Sequence, residues 1–179
     1  DKAFAALKKG NIDSLASISS QKIKNISSDI SDEKYNIIST PLPRIFGVFF
    51  NQNSNPILAE KAVRQALDLA IDRRQIINSA LDGYGIVIDS PLPSESNISI
   101  KKEQNIELAI SLLEKSGWVK NKTTGIYEKK GPKNLLQILS FELITADAPD
   151  LKQTAQLLNE SWAKIGAKVE VKIFETSEL

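Results

Sequence analysis

The 179-residue sequence contains no cysteine, no histidine and no methionine. Without cysteine there are no disulfides, no thiolate chemistry and no sulfur-based metal site. Without histidine, the commonest general base and the commonest zinc ligand are both missing. The lack of methionine sets residue 1 apart from a natural start codon. Residues 2–9 read as the end of a helix, and the chain closes just after a strand-like stretch. Both ends look cut, so an excised piece of a longer chain is expected. Neither sign of charge dominates, with 23 basic and 22 acidic side chains. That balance removes the global electrostatic reason to expect nucleic acid or an anionic membrane as partner. No apolar run approaches the length of a membrane span, and no signal-peptide pattern is visible. A cysteine-free composition suits an extracytoplasmic protein.

The hydrophobic fraction, 41%, is ordinary for a globular domain. The length suffices for one sizeable core, or for one compact lobe of something larger. The most informative stretch is residues 49–77, FFNQNSNPILAEKAVRQALDLAIDRRQII. A short apolar strand ends at Asn51 and a Pro-containing turn follows. Val63, Ala66, Leu67, Ala70 and Ile71 then recur at i, i+3, i+4, i+7 and i+8, one face of a helix. Arg64, Gln65 and Asp68 fall on the other side. Asp72 reads as the N-cap of a second short helix, with Gln75 as its capping-box partner. That helix would bury Ile76, Ile77, Ala80 and Leu81 and stop at Gly83 or Gly85. Arg64, Asp72 and Arg73 read first as packing and capping residues.

Elsewhere the pattern alternates. Phe4, Ala5 and Leu7 suggest helical turns stopped by Gly10. Residues 15–18, 35–39 and 45–51 read as strands, the last two separated by Pro41 and Pro43. Residues 20–26 read as a brief helix, 27–33 as a polar loop and 90–93 as a rigid, extended connection. Ile106, Ala109, Ile110 and Leu113 mark a helical face that ends at Gly117, with Trp118 folding back behind it. Residues 118–133 predict an exposed hairpin with Thr124 and Gly125 at its tip. Its lysines read as a solvated surface. Residues 135–144 are apolar on both alternating faces, which predicts a strand in mid-sheet covered by helices. Pro149 suits the first turn of a helix whose stripe is Leu151, Ala155, Leu158, Trp162 and Ile165. Gly166 stops it, and Val169, Val171 and Ile173 alternate along a final strand. The expected fold is one α/β domain over residues 1–179. It has a mixed sheet flanked by helices at 60–81, 103–116 and 150–164.

The wording VRQALDLAIDR at residues 63–73 resembles the family 5 extracellular solute-binding proteins, the peptide/nickel-type receptors that feed ABC importers. LKKGNIDSL at residues 7–15 and LLEKSGW at residues 112–118 continue the likeness. It runs in the family's order and spacing from about Leu7 to Ile173. It implies a partial second lobe of a two-lobed receptor of the periplasmic-binding-protein type II kind. Such a receptor sits outside the cytoplasmic membrane, free in the periplasm or anchored as a lipoprotein. The implied partners are an oligopeptide or another small solute, an ABC permease, and the rest of the parent receptor chain. No cofactor, metal or nucleic acid is implied. Residues 44–49 run where family members line the cleft, so Arg44, Phe46 and Phe49 are the implied ligand contacts. The ordinary alternatives are core packing for the two phenylalanines and a solvated edge charge for Arg44.

Two rival classes stand beside the receptor reading. An enzyme would need paired groups, and Asp68, Asp72, Asp82 and Asp89 are the carboxylates available. Nothing in their spacing singles out a pair, no Gly-rich phosphate loop surrounds Gly83 and Gly85, and a serine nucleophile would lack histidine. Catalytic residues are therefore expected to be none. The other rival is a sensor or protein-interaction module built on the same fold without a transport role.

Overall fold

The structure, a computed structural model, describes residues 2–16, 18, 23, 35–38, 44–88, 103–131, 134–175 and 177. The chain divides into two compact units, Asp1–Arg44 and Ile45–Leu179. In the first, helix α1 (Lys2–Lys8) is closed by Gly10 at φ 73°, with the Asn11 N–H donating to the Ala6 carbonyl. The Phe4 ring packs near Tyr35, with centroids 6.4 Å apart. The described residues of the expected strands at 15–18 and 35–39 lie in no ladder. Of the helix expected at 20–26 only Ile23 is described, and it is helical; the loop at 27–33, Pro41 with Pro43, and the connection at 90–93 lie outside the described residues.

The second unit holds a short 3-10 turn (Pro56–Ala59), helices α2 (Lys61–Leu69), α3 (Arg73–Ala80) and α4 (Ile106–Lys115), and strands β1 (Val119–Lys120), β2 (Tyr127–Lys130), β3 (Leu136–Ile138) and β4 (Ser140–Ala146). Helix α5 (Pro149–Lys164) and strand β5 (Lys168–Phe174) complete it. The predicted helix pair is therefore present. Val63, Ala66, Leu67 and Ala70 are fully buried, as the periodicity requires. Asp72 caps α3, its carboxylate accepting from the Gln75 N–H at 2.9 Å. The stop after α3 starts one residue earlier than expected, with Asp82 at φ 51° ahead of Gly83 at φ 84°.

The C-terminal end of α2 organises the core. A helix leaves its last four carbonyls without intrahelical partners, and here each finds another donor. Ala66 accepts from the Ala70 N–H at 3.0 Å, Asp68 from the Ile71 N–H at 3.4 Å and Leu69 from the Asn105 N–H at 2.8 Å. The Leu67 carbonyl accepts from the Trp162 indole at 2.9 Å, inside the core. Just past the helix, the Ala70 carbonyl accepts from the Gln104 amide at 2.7 Å. One aromatic side chain of α5 thus fills apolar space and satisfies a buried polar group of α2. Phe141 of β4 meets the same tryptophan edge-on, with centroids 5.4 Å apart.

Sheet pairing changes partner at Leu139. β1, β2 and β3 form an antiparallel sheet, while β4 pairs with β5 in parallel. The Leu139 N–H donates to Tyr127 of β2 at 2.8 Å, and its carbonyl accepts from Lys168 of β5 at 2.9 Å. The run is thus antiparallel to one neighbour before Leu139 and parallel to another after it. This is the mixed arrangement expected, but residues 135–144 are not one strand buried on both faces. Leu139 and Phe141 are buried, whereas Leu135, Leu136, Ile138 and Ile144 are exposed. Helix α5 packs on β4 and β5. The opposite face of that pair carries Glu142 and Lys172, joined by an ion pair at 2.5 Å that holds the Lys172 ammonium above the usual lysine range.

Two glycines set the turns. Gly117 at φ 87° follows α4, with the Trp118 N–H donating to the Leu113 carbonyl at 3.1 Å. This geometry folds Trp118 back onto the helix it has just left. Gly166 at φ 70° does the same after α5, and a Cβ there would lie 2.8 Å from the Gly125 carbonyl oxygen. Both the backbone angle and the close approach exclude a side chain.

Candidate functional site

Residues 45–51 form neither a helix nor a paired strand, and carry apolar side chains at most positions. Val48 and Phe50 are half-buried and pack against the core. Phe49, between them, is 95% exposed, and Phe46 is 38% exposed. Alternation explains the split: with two residues turned inward, Phe49 must face out. Among the described residues no strand pairs with this segment, so the strand predicted there is not formed.

The turn after the segment is firmly tied. Asn51 accepts from the Ser54 N–H at 3.1 Å. Asn55 accepts from the Ile57 N–H at 3.3 Å, capping the 3-10 turn, and its amide donates to the Ser140 carbonyl of β4 at 3.1 Å. Pro56 at the first helical position needs no N–H partner. Arg64 donates to the Leu58 and Ala59 carbonyls at 2.8 and 2.7 Å and to Gln52 at 3.3 Å. Arg64 therefore holds the turn closed. Arg73 pairs with Asp68. The packing and capping reading of Arg64, Asp72 and Arg73 thus has direct partners in the structure.

A second polar cluster joins α2 to the hairpin. Glu60 accepts from Lys129 at 2.9 Å and from the Trp118 indole at 3.3 Å. The Lys129 ammonium also lies 5.9 Å from the Trp118 ring centroid. Nearby, the Tyr127 hydroxyl donates to Glu114 at 3.0 Å. Burial, and then the Glu114 carboxylate, push the Tyr127 phenol up to about 12.

Of the three ligand contacts implied by the sequence, Arg44 is exposed and closes the first unit, and Phe46 and Phe49 belong to the second. Core packing does not describe Phe49. Sequence reading missed the tether to β4 through Asn55, although an Asn-Pro step before an apolar run was a legible turn signal. It also missed a shallow hollow of about 270 Å³ lined by Arg74, Ile77, Asn78, Gly83, Gly85, Ile86 and Val87. That volume is below the usual range for small-molecule sites. Among the carboxylates weighed for catalysis, Asp68 and Asp72 have structural partners and Asp82 sits in the turn after α3. Asp89 lies outside the described residues. Among the described residues no three acidic groups come close enough together to hold a metal ion. No described helix is long and apolar enough to cross a membrane.

Comparison with known proteins places these features. The oligopeptide-binding protein AppA of Bacillus subtilis is 35% identical over 133 residues, covering 70% of this chain and 23% of AppA. The solved structure of AppA in complex with a nonapeptide superposes with a TM-score of 0.59 at 32% identity, over 70% of this chain and 25% of that one. The nickel-binding periplasmic protein of Escherichia coli is 35% identical over 114 residues, 62% of this chain and 21% of that protein. In fold alone, the ABC transporter substrate-binding protein CtaP of Listeria monocytogenes matches 99% of this chain at a TM-score of 0.73 and 24% identity, over 33% of its own length. The chain thus spans about a quarter of the length of the relatives it matches. A family model described as "Bacterial extracellular solute-binding proteins, family 5 Middle" matches residues 1–179, and the chain belongs to that family.

Proposed function

We propose that this chain is part of the second lobe of an extracellular receptor that binds an oligopeptide or a similar small solute and presents it to an ABC permease. The whole receptor lies outside the cytoplasmic membrane, either free in the periplasm or held at the surface as a lipoprotein. Family membership supports this reading, and the observation that carries it is Phe49. A large aromatic ring is held 95% exposed on a segment whose neighbours are fixed to the core. Leaving a phenylalanine in water forgoes about 1.5–3 kcal/mol of burial, so the position favours a partner that covers it. Phe46, on the same segment, supplies a second apolar contact. Arg44, two residues before it in sequence, supplies a cation for a carboxylate or a main-chain carbonyl. An extended peptide suits such a segment, because its backbone can pair with exposed main chain while its side chains meet the aromatic rings.

The test is calorimetric titration of the full-length receptor with a mixed oligopeptide library. Binding in about the micromolar range, near −8 kcal/mol, is expected, together with compaction in small-angle scattering as the lobes close. A folded full-length receptor that binds no peptide and shows no compaction would sink the proposal.

A further inference from the structure

The segment that carries Phe49 has few directional bonds of its own. Among the described residues no main-chain hydrogen bond involves residues 45–50. Val48 and Phe50 hold it to the core by packing, and packing is non-directional. The first directional anchor is Asn51, two residues past Phe49. Its carbonyl accepts from the Asn55 N–H at 3.3 Å, and its side chain accepts from the Ser54 N–H at 3.1 Å. The turn so formed is fastened at two more distant points. The Asn55 amide donates to the Ser140 carbonyl of β4 at 3.1 Å. Arg64 of α2 gathers three acceptors around one nitrogen. Its Nη1 donates to the Ala59 carbonyl at 2.7 Å, to the Leu58 carbonyl at 2.8 Å and to Gln52 Oε1 at 3.3 Å. Gln52 directly follows Asn51, so this cation links the end of the Phe49 segment to the helix.

Hydrogen bonds from a full charge are about twice as strong as neutral ones. Here that charge is directed at main-chain carbonyls and one side-chain amide. Helix α2 is already fixed by the burial of Val63, Ala66 and Leu67, so the staple acts on the turn. We propose that Arg64 is a positioning residue for the solute site. It holds the turn that fixes the end of the Phe49 segment, and it reaches the solute only through the Phe49 ring. Asn55 does the same from the β4 side. The part of this inference that concerns the solute rests on the receptor reading; the part that concerns the placement of Phe49 does not.

The experiment uses the full-length receptor and two readouts, the first of which needs no solute. The chain has no cysteine, so a nitroxide can be placed on Phe49→Cys, with any cysteine elsewhere in the receptor changed to serine. Its spectrum reports how tightly position 49 is held on the nanosecond scale. Arg64→Met should narrow the spectrum, and Arg64→Lys, which keeps the charge and three donors, should restore most of its width. Asn55→Asp keeps the capping oxygen but loses the amide donor, and should narrow the spectrum too. The second readout is a double-mutant cycle in peptide titration. Arg64→Met should weaken binding about threefold when Phe49 is present, and by less than about 1.5-fold when Phe49 is already alanine. A residue that touches the solute, or one that only supports the fold, costs the same in both backgrounds. Unchanged spectra in both Arg64→Met and Asn55→Asp, with unfolding transitions that show folded protein, overturn the proposal, because the packing of Val48 and Phe50 then suffices. Equal losses of affinity in the two backgrounds overturn it as well, because Arg64 then acts by another route. A receptor that binds no peptide sinks the receptor reading instead, and the spectra still decide whether Arg64 positions Phe49.

Discussion

Trp162 and Phe49 are both large aromatic residues in strongly patterned segments, yet their surroundings are opposite. Trp162 is fully buried, meets Phe141 edge-on and donates to the Leu67 carbonyl. Phe49 is almost fully exposed between two residues that pack inward. The first is over-determined, since helix, strand and hydrogen bond all demand it. The second is positioned by its neighbours but not used by them. Folding constrains Trp162, and only something outside this core can constrain Phe49. Substitutions at the two ends of this comparison should therefore separate stability from binding.

The largest effect is expected at Trp162. Trp162→Ala removes a fully buried side chain and leaves the Leu67 carbonyl without its donor. The cost should be about 3–5 kcal/mol, read as a lower denaturant midpoint. An unchanged midpoint would break the contrast at its buried end.

Tyr127 gives a second, pH-dependent handle on the buried region. Its folded-state phenol is held up to about 12, while the unfolded chain releases the proton near the ordinary tyrosine value of 10.0. The folded state thus keeps a proton that the unfolded state loses. Its contribution to stability is whole below pH 10 and disappears as pH rises toward 12, with a slope of up to about 1.4 kcal/mol per pH unit. Tyr127→Phe should lack that slope. Denaturation curves for parent and variant at pH 9, 10 and 11 should diverge. If they stay parallel, the Tyr127 phenol does not stay protonated in the folded state.

Much of the buried region was legible in the sequence. The i, i+3, i+4 recurrence placed Val63, Ala66 and Leu67 inside, the glycine stops after α4 and α5 fell where expected, and both tryptophans are core. These signals are local, and local geometry forces them. The strand at residues 135–144 failed for a non-local reason. An apolar run reads alike whether it lies in mid-sheet or changes partner halfway, and only the pairings to Tyr127 and Lys168 reveal the switch at Leu139. The candidate contacts were legible only through family resemblance. Nothing in the spacing of Arg44, Phe46 and Phe49 distinguishes a core aromatic from an exposed one, because burial depends on which neighbours turn inward. The Asn55 tether spans 85 residues and has no sequence signature beyond its turn.

Asp72 should give a smaller effect on the structural side. As a cap it accepts a single backbone hydrogen bond, so Asp72→Ala should cost about 0.5–2 kcal/mol, while Asp72→Asn should be nearly neutral. Measuring stability and peptide affinity on the Asn variant tests the assignment. Loss of affinity with stability retained would make Asp72 a ligand carboxylate and move it to the exposed side of the comparison.

The smallest stability effect is expected at Phe49, and it is the most telling. Truncating a side chain that touches little should change the unfolding free energy by no more than about 0.5 kcal/mol. The nearby Gly47, whose added Cβ would lie 3.8 Å from the Phe49 ring, leaves room for the ring without a clash. In the full-length receptor Phe49→Ala should nevertheless weaken peptide binding by about tenfold, since one aromatic contact is worth about 0.5–1.5 kcal/mol beyond the area it covers. Phe49→Tyr should retain most of the affinity, because the ring face is kept and the hydroxyl can remain solvated. Unfolding measurements and titration on the same two variants decide the matter. A large loss of stability in Phe49→Ala would mean that the rest of the receptor buries this ring as core. Unchanged stability with unchanged affinity would mean that the solute passes it by. Only retained stability with lost affinity gives Phe49 a place in the cleft.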